Sequence, residues 1–192
     1  FELYFYSPSD LIYKNNIVYA KAKFLELAFE NGKETFNYGK IKVLKLSSLD
    51  VILMRQDPPF NMSYITATHI LEKIASQTLI LNNPFHVRNA PEKIFVTEFS
   101  KFMPETLITR ETNEIIKFKN KHKNIIIKPL YGNGGEGVFY IKDNDTNFNV
   151  IIENFLNSSE EQFILQSYIP EVKKGDKRII LIDGKVVGAI NR

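Results

Sequence analysis

The segment YGNGGEG, residues 131–137, places four of the chain's nine glycines within six positions, between IIIKPL and VFYIK. Both flanks are rich in β-branched and aromatic residues and read as strands. GNGGEG satisfies the pattern G-x-G-x-x-G, but a dinucleotide fingerprint needs a helix directly after the glycines, so that a pyrophosphate sits on its N-terminus. Here a strand follows. A Walker loop would carry its lysine after the last glycine with Ser or Thr next, and a kinase would need HRD and DFG segments. The chain has neither. What is left is a hairpin with a glycine tip and Lys128 on its incoming strand. Two readings stay open for it: a surface hairpin with a flexible end, or a flap whose backbone N–H groups turn toward an anion while Lys128 supplies a point charge.

Length and charge bound the rest. A chain of 192 residues is long enough for one large domain or two small ones. The net charge of +3 comes from 25 basic and 22 acidic residues, mixed along the chain except around Lys117, Lys119, Lys121 and Lys123, which read as one solvated helix face and not as a nucleic-acid patch. No apolar run approaches the ~20 residues of a membrane helix. There is no cysteine, which excludes disulfides and thiolate metal sites; a reducing compartment is the expectation. His69, His86 and His122 are scattered and read as surface or packing residues. The chain begins at Phe1 and stops inside VVGAINR, so it reads as cut at both ends.

The organisation is α/β, with an α+β middle. FELYFYSPSDLIYKNNIVYAKAKFLEL reads as a strand and then a hairpin turning at KNN. LDVILMR suits a buried parallel strand that DPPF ends, NMSYITATHILEKIASQ has helical spacing with Asn61 as N-cap, and TLILN is a further strand. Strand, helix, strand marks an open α/β sheet. From residue 91 NAPEKIFVTEFSKFM opens a helix at its proline. Then follow the strand TLITR, the helix TNEIIKFKNKH, the strand NIIIKPL, the glycine bridge, the strand VFYIK and the helix NFNVIIENFL. A third region starts at FILQSYI and ends in RIILIDGKVVGAINR, a hairpin turning at its DG dipeptide. The expected domains are 1–90, 91–162 and 163–192.

Lys93 in PEKIF is a second candidate phosphate lysine. Gln166, Tyr168 and Ile169 in LQSYIP offer polar, aromatic and apolar side chains in succession, and Asp176 and Arg178 in GDKR lie two apart, on one face of a strand. Each of these, taken alone, is more often structural.

Their joint order, carried by the strings VILMRQDPPFNMSYITATHILE, NAPEKIF, PETLITR, IIIKPLYGNGGEGVF and KKGDKRIILIDG, resembles the ATP-grasp ligases, and among them the bacterial glutathione synthetase family. The resemblance runs from Phe1 to Arg192. It implies an N-terminal α/β domain, a lid subdomain with the glycine loop, and the start of a C-terminal ATP-grasp subdomain. The implied activity joins γ-glutamylcysteine to glycine through an acyl phosphate and splits ATP to ADP and phosphate. Alternatives are another ATP-grasp carboxylate–amine ligase and a non-catalytic nucleotide-binding relative. The resemblance implies that Lys93, Lys128 and the flap of Gly132, Asn133, Gly134, Gly135, Glu136 and Gly137 hold the ATP phosphates. It sets Gln166, Tyr168 and Ile169 around the adenine and Asp176 by the nucleotide. Arg178 and Arg192 become catalytic and, with Arg55, face the substrate. Mg²⁺, with Mn²⁺ as a substitute, is the implied metal, its two acidic ligands and asparagine expected beyond Arg192, so that the 192 residues alone are expected not to turn over. The family also implies a cytoplasmic homo-oligomer, dimer or tetramer, with no nucleic acid and no membrane.

Overall fold

The structure, a computed structural model, describes residues 1–30 and 32–192. It divides into two compact units, one of Phe1–Val96 with Tyr131–Gly134 and one of Thr97–Leu130 with Gly135–Arg192.

The first unit begins with β1 (Tyr4–Phe5), β2 (Leu11–Lys14), β3 (Ile17–Glu30) and β4 (Lys33–Lys45), an antiparallel sheet in which β3 pairs with the other three. The β2–β3 turn is Asn15–Asn16 with φ of 50° and 62°, the two-residue geometry that matches strand twist and that asparagine tolerates. β5 (Val51–Leu53) and β6 (Leu79–Leu81) form a parallel pair, joined through α1 (Met62–Glu72). The N-cap expected at Asn61 is present: its side chain accepts a hydrogen bond from Tyr64 N at 3.0 Å. Two short helices follow, α2 (Pro84–Asn89) and α3 (Glu92–Phe95). One core ties these pieces together, with Val18 and Ala20 from the antiparallel sheet and Leu46 just after it against Ile52, Leu71, Ile74 and Ile80.

The second unit contains β7 (Thr106–Thr109), α4 (Thr112–His122), β8 (Ile125–Pro129), β9 (Phe139–Ile141), α5 (Phe148–Ser158) and β10 (Phe163–Ser167). A separate hairpin, β11 (Lys177–Ile182) and β12 (Lys185–Asn191), turns at Asp183–Gly184 as the DG dipeptide predicts. The four strands make one antiparallel sheet in the order β7-β10-β8-β9. Ile125, Ile127, Ile141, Phe163 and Leu165 point to one side of it and pack on Ile115 and Phe118 of α4 and Ile152 of α5. Arg110 closes the far end of α5, donating from its guanidinium to the carbonyls of Leu156 (2.8 Å), Ser159 and Glu161 (3.0 Å). Carbonyls that a helix C-terminus leaves without partners are thereby satisfied.

Several expectations need correction. β10 lies between β7 and β8, so residues 163–167 share the sheet of the segment before them. A helix does start at Pro91, which is the N-cap of α3, but the helix expected through FSKFM becomes 3-10 turns over 96–102. Lys117, Lys119 and Lys121 of α4, with Lys123 as its C-cap, are not one solvated face, because positions two apart on a helix are turned by about 200°. Lys119 is buried, its Nζ donating to the Asp143 carbonyl at 2.9 Å. Lys117 pairs with Glu114, and Lys121 with Glu105, whose carboxyl is held below its ordinary range by that hydrogen bond and the nearby charges of Lys121 and His122. Charges matched within the fold leave no basic stripe there. The sequence reading also passed over β4 and α2. An NG dipeptide at 31–32 and an Asn–Pro pair at 83–84 were the available signals.

Tyr6 packs at the edge of the first core, where burial pushes its phenol up to about 12. An unfolded chain's tyrosine loses its proton near pH ~10. Its contribution is therefore complete below that pH and is lost as pH rises from about 10 through 12. Replacing Tyr6 by Phe should lower the stability loss between about pH 9 and pH 11.5 by roughly 2 kcal/mol, measured as the shift in urea midpoint.

Candidate active site

In the second unit the sheet has two faces, and the helices cover one. Antiparallel partners point the same way, so the register Gln166↔Thr106, Gln166↔Ile126 and Ile126↔Tyr140 sets Thr106, Gln166, Ile126 and Tyr140 in a row across the other face. Lys128, opposite Ile164, lies one step along the same face. The amide of Gln166 is oriented by a 3.0 Å hydrogen bond to Thr106 Oγ1, which in turn donates to the Pro104 carbonyl at 2.7 Å. Tyr168 stacks on Tyr140 with centroids 4.1 Å apart and planes at 27°. Its backbone N–H is tied to the Asn124 carbonyl at 3.0 Å. Ile169 follows, half exposed. This face therefore offers a primary amide, a stacked pair of rings and a cation.

The loop between β8 and β9 has three consecutive-region glycines at positive φ: Gly134 at 64°, Gly135 at 82° and Gly137 at 69°. A Cβ on Gly134 or Gly135 would meet nothing within 4 Å, so the demand for glycine there is conformational and not steric. At Gly137 a Cβ would come within 3.2 Å of the Pro129 ring. Asn133 and Glu136 are exposed between them.

The first unit holds Lys93, Gly132 and Arg55. Lys93 Nζ, on α3, donates to the Gly132 carbonyl at 2.5 Å, so this lysine grips the base of the glycine loop. Tyr131 beside it stacks on Phe60 from the DPPF string, centroids 6.1 Å apart. Arg55 is exposed just beyond the carboxyl end of β5, the end of a parallel strand at which open α/β sheets place ligands.

The last hairpin holds Asp176, Arg178 and Arg192. Asp176 and Arg192 exchange backbone hydrogen bonds at 3.2 and 2.8 Å, and Arg192 Nε donates to Asp176 Oδ2 at 3.1 Å. The partner of Asp176 is thus Arg192 across the hairpin, and not Arg178, two residues along. Both side chains are about half exposed, a setting in which an ion pair contributes ~0–1 kcal/mol and is readily exchanged for another partner. Gly175 permits the close approach: its φ is 97°, and a Cβ there would collide with the Arg192 carbonyl. Arg178 lies exposed on β11 opposite Ile190.

Among the described residues no three His, Asp or Glu side chains gather into a cluster fit for a metal ion. The residues present therefore do not by themselves fit Mg²⁺ or Mn²⁺. His122 packs on Phe118, as a packing histidine would.

Residues 1–88 match the family model for the prokaryotic glutathione synthetase N-terminal domain, and residues 92–192 match that for its ATP-grasp domain. The chain belongs to the prokaryotic glutathione synthetase family. Its similarity to the glutathione synthetase of Agrobacterium fabrum is 50% identity over 192 residues, covering all of this chain and 60% of that protein. With that of Brucella melitensis it is 49% over 191 residues, 100% and 61%. The chain thus spans about 60% of the length of the curated relatives it matches. The fold is shared with a D-cycloserine synthetase (TM-score 0.59, 14% identity, 77% of this chain and 54% of that one). It is shared too with a D-alanyl-alanine synthetase A of Vibrio cholerae (TM-score 0.54, 15% identity, 92% and 53%). Family membership fixes the ATP-grasp architecture.

Sequence reasoning assigned nothing to Thr106, Asn124 or Tyr140. Tyr140 could have been found, since alternation along FYI turns it away from the buried Ile141; Thr106 and Asn124 join through pairings between distant segments. Replacing Lys128 by Met should weaken ATP binding at least tenfold, the loss of a charge-assisted contact of ~1.5–3 kcal/mol. Replacing Gly134 and Gly135 by Val should weaken it too while the melting temperature stays within about 3 °C. Both are read by titration calorimetry and thermal denaturation.

Proposed function

We propose that this chain is the nucleotide-binding part of a glutathione synthetase, a ligase that joins γ-glutamylcysteine to glycine at the expense of ATP. The observation that carries this reading is the shared face of the second unit's sheet, where Lys128, Gln166 and the Tyr140–Tyr168 stack occur together in a family whose relatives bear that name. With its amide nitrogen committed to Thr106, Gln166 offers an oxygen acceptor that complements an exocyclic amine, and the stacked rings and Ile169 give a flat base its apolar walls. Lys93, Lys128 and the N–H groups of 132–137 then take the phosphates, and Asp176 lies by the nucleotide.

The chemistry follows from what each bond requires. A free carboxylate is a poor acceptor, so its oxygen first attacks the γ-phosphorus and ADP leaves. The glycine nitrogen then attacks the acyl carbon, phosphate departs, and the amine gives up a proton. Such a reaction needs positioning and charge neutralisation above all. Lys128 and Lys93 neutralise the transferring group, and Arg55, Arg178 and Arg192 hold the peptide carboxylate, Arg192 exchanging Asp176 for it. No step is assigned to a metal, because the described residues supply no ligand set for Mg²⁺ or Mn²⁺. The division of labour follows the regions 1–90, 91–162 and 163–192, with β10 lent to the sheet of the middle one. We further propose that it acts on small molecules in the cytoplasm as a homo-oligomer; no helix among the described residues is long and apolar enough to cross a membrane.

The expected outcome is that the 192-residue chain binds ATP but releases no ADP in the presence of γ-glutamylcysteine, glycine and Mg²⁺. In a protein carrying this chain at its relatives' full length, glutathione and ADP should form one for one, with other amino acids used poorly in place of glycine. Failure of the chain to bind ATP overturns the site. Equal use of several amines points instead to a different carboxylate–amine ligase.

A further inference from the structure

The helix-covered side of the second unit's sheet is not filled to its end. The register sets Phe163 beside Pro129, and Leu165, Ile127 and Phe139 in one row, all on the side that α4 and α5 cover. Ile152 of α5 is buried there, whereas Phe139, at the start of the edge strand β9, is 45% exposed. Against Phe139 the last turns of α5 and the residues after them enclose a recess of about 230 Å³. Three rings wall it: Phe155 meets Phe139 edge-on with centroids 5.9 Å apart, and Phe163 at 5.0 Å. The end of α5 is held in place by Arg110 on the carbonyls of Leu156, Ser159 and Glu161. Alternation puts the recess on the opposite side of the sheet from Lys128 and Gln166, so it is no part of the candidate nucleotide face.

Two features select an occupant. The first is charge: neither lysine nor arginine lines the recess, and Glu161 brings the one formal charge of its lining. The second is hydrogen bonding. The rim hydroxyls are used within the wall, Ser158 donating to the Phe155 carbonyl at 3.2 Å and Ser159 Oγ accepting from the Glu161 N–H at 3.0 Å. The side chains of Asn154, Glu161 and Gln162 have no such partner among the described residues. Two carboxamides and a carboxylate at the rim of an aromatic pocket complement an ammonium group beside a ring. A dry cavity of ~150 Å³ accepts benzene, so the volume here admits a fused ring pair with a short chain.

We propose that this recess is a second ligand site, taking a small aromatic ring that carries an ammonium on a short chain, and that its occupancy is coupled to the glycine loop. The path is short. Pro129 ends β8, Phe139 begins β9, and a Cβ on Gly137 between them would come within 3.2 Å of the Pro129 ring. All three line the recess, so an occupant packs on both strand ends from which the loop springs. It leaves the loop less freedom to lose on closing over phosphate, and ATP binds more tightly. The coupling rests on the proposed phosphate role of the loop; the site itself does not.

Tryptamine is the probe, titrated by calorimetry into the 192-residue chain and into the protein at its relatives' full length. A dissociation constant on the order of 0.1–1 mM is expected, with indole-3-propionate, the same ring bearing an anion, about tenfold weaker. Glu161→Gln should weaken tryptamine about fivefold and narrow the gap between the two probes. Ser158→Phe and Asn154→Phe, each at an exposed position of α5, should fill the recess and abolish binding while the circular dichroism is kept. Saturating tryptamine should lower the dissociation constant of ATP about threefold, and ATP that of tryptamine by the same factor. Absence of tryptamine binding overturns the site, as does binding that survives both filling variants or equal affinity for the two probes. Tryptamine binding that leaves ATP affinity unchanged overturns the coupling. A chain that takes tryptamine but no ATP upholds the site and overturns the nucleotide reading instead.

Discussion

The four-stranded sheet of the second unit carries its helices on one face only, and the rest of its chemistry depends on that. Alternation along β8 and β10 sends Ile125, Ile127, Phe163 and Leu165 to one side, where α4 and α5 bury them. Lys128 and Gln166, one residue out of phase, have to emerge on the other. Burial at about 25 cal/mol per Å² of apolar surface fixes the register, since a slip by one residue would exchange the two faces. Packing on one side thereby aims the polar groups on the other. Arg110 serves the same end at a distance, holding the far end of α5 by its carbonyls.

The loop contrasts with this rigidity. Gly134 and Gly135 hold a backbone conformation that other residues resist, in open surroundings where nothing presses on them. Its base is anchored, however, by Lys93 on the Gly132 carbonyl and by Tyr131 on Phe60. A loop free at its tip and held at its base can change shape without disturbing the strands that carry it, as the proposed clamp on phosphate requires.

Much of this was legible before any coordinates. The helix at 112–122, the strands at 125–129 and 163–167, the turns at Asn15–Asn16 and Asp183–Gly184 and the Asn61 cap are all local, set by periodicity and by single residues with one strong preference. The failures share a cause as well. That β10 sits between β7 and β8, that Lys119 is buried against Asp143, and that Asp176 pairs with Arg192 each require residues far apart in sequence to meet. Nothing in the local pattern around residue 163 tells which strands will be its neighbours.

The sequence by itself determined the strand, glycine loop, strand unit with Lys128 before it, and through longer strings the family. Backbone preference and side-chain alternation act over a few residues, and those residues are contiguous. Tertiary structure alone decided which amide hydroxyl partner orients Gln166, which ring Tyr168 stacks on, and which carboxylate Arg192 holds. It also decided that the last turns of α5 leave a recess against the sheet, walled by Phe139, Phe155 and Phe163. Those outcomes depend on which surfaces the packed core brings together, and a core is a property of the whole chain.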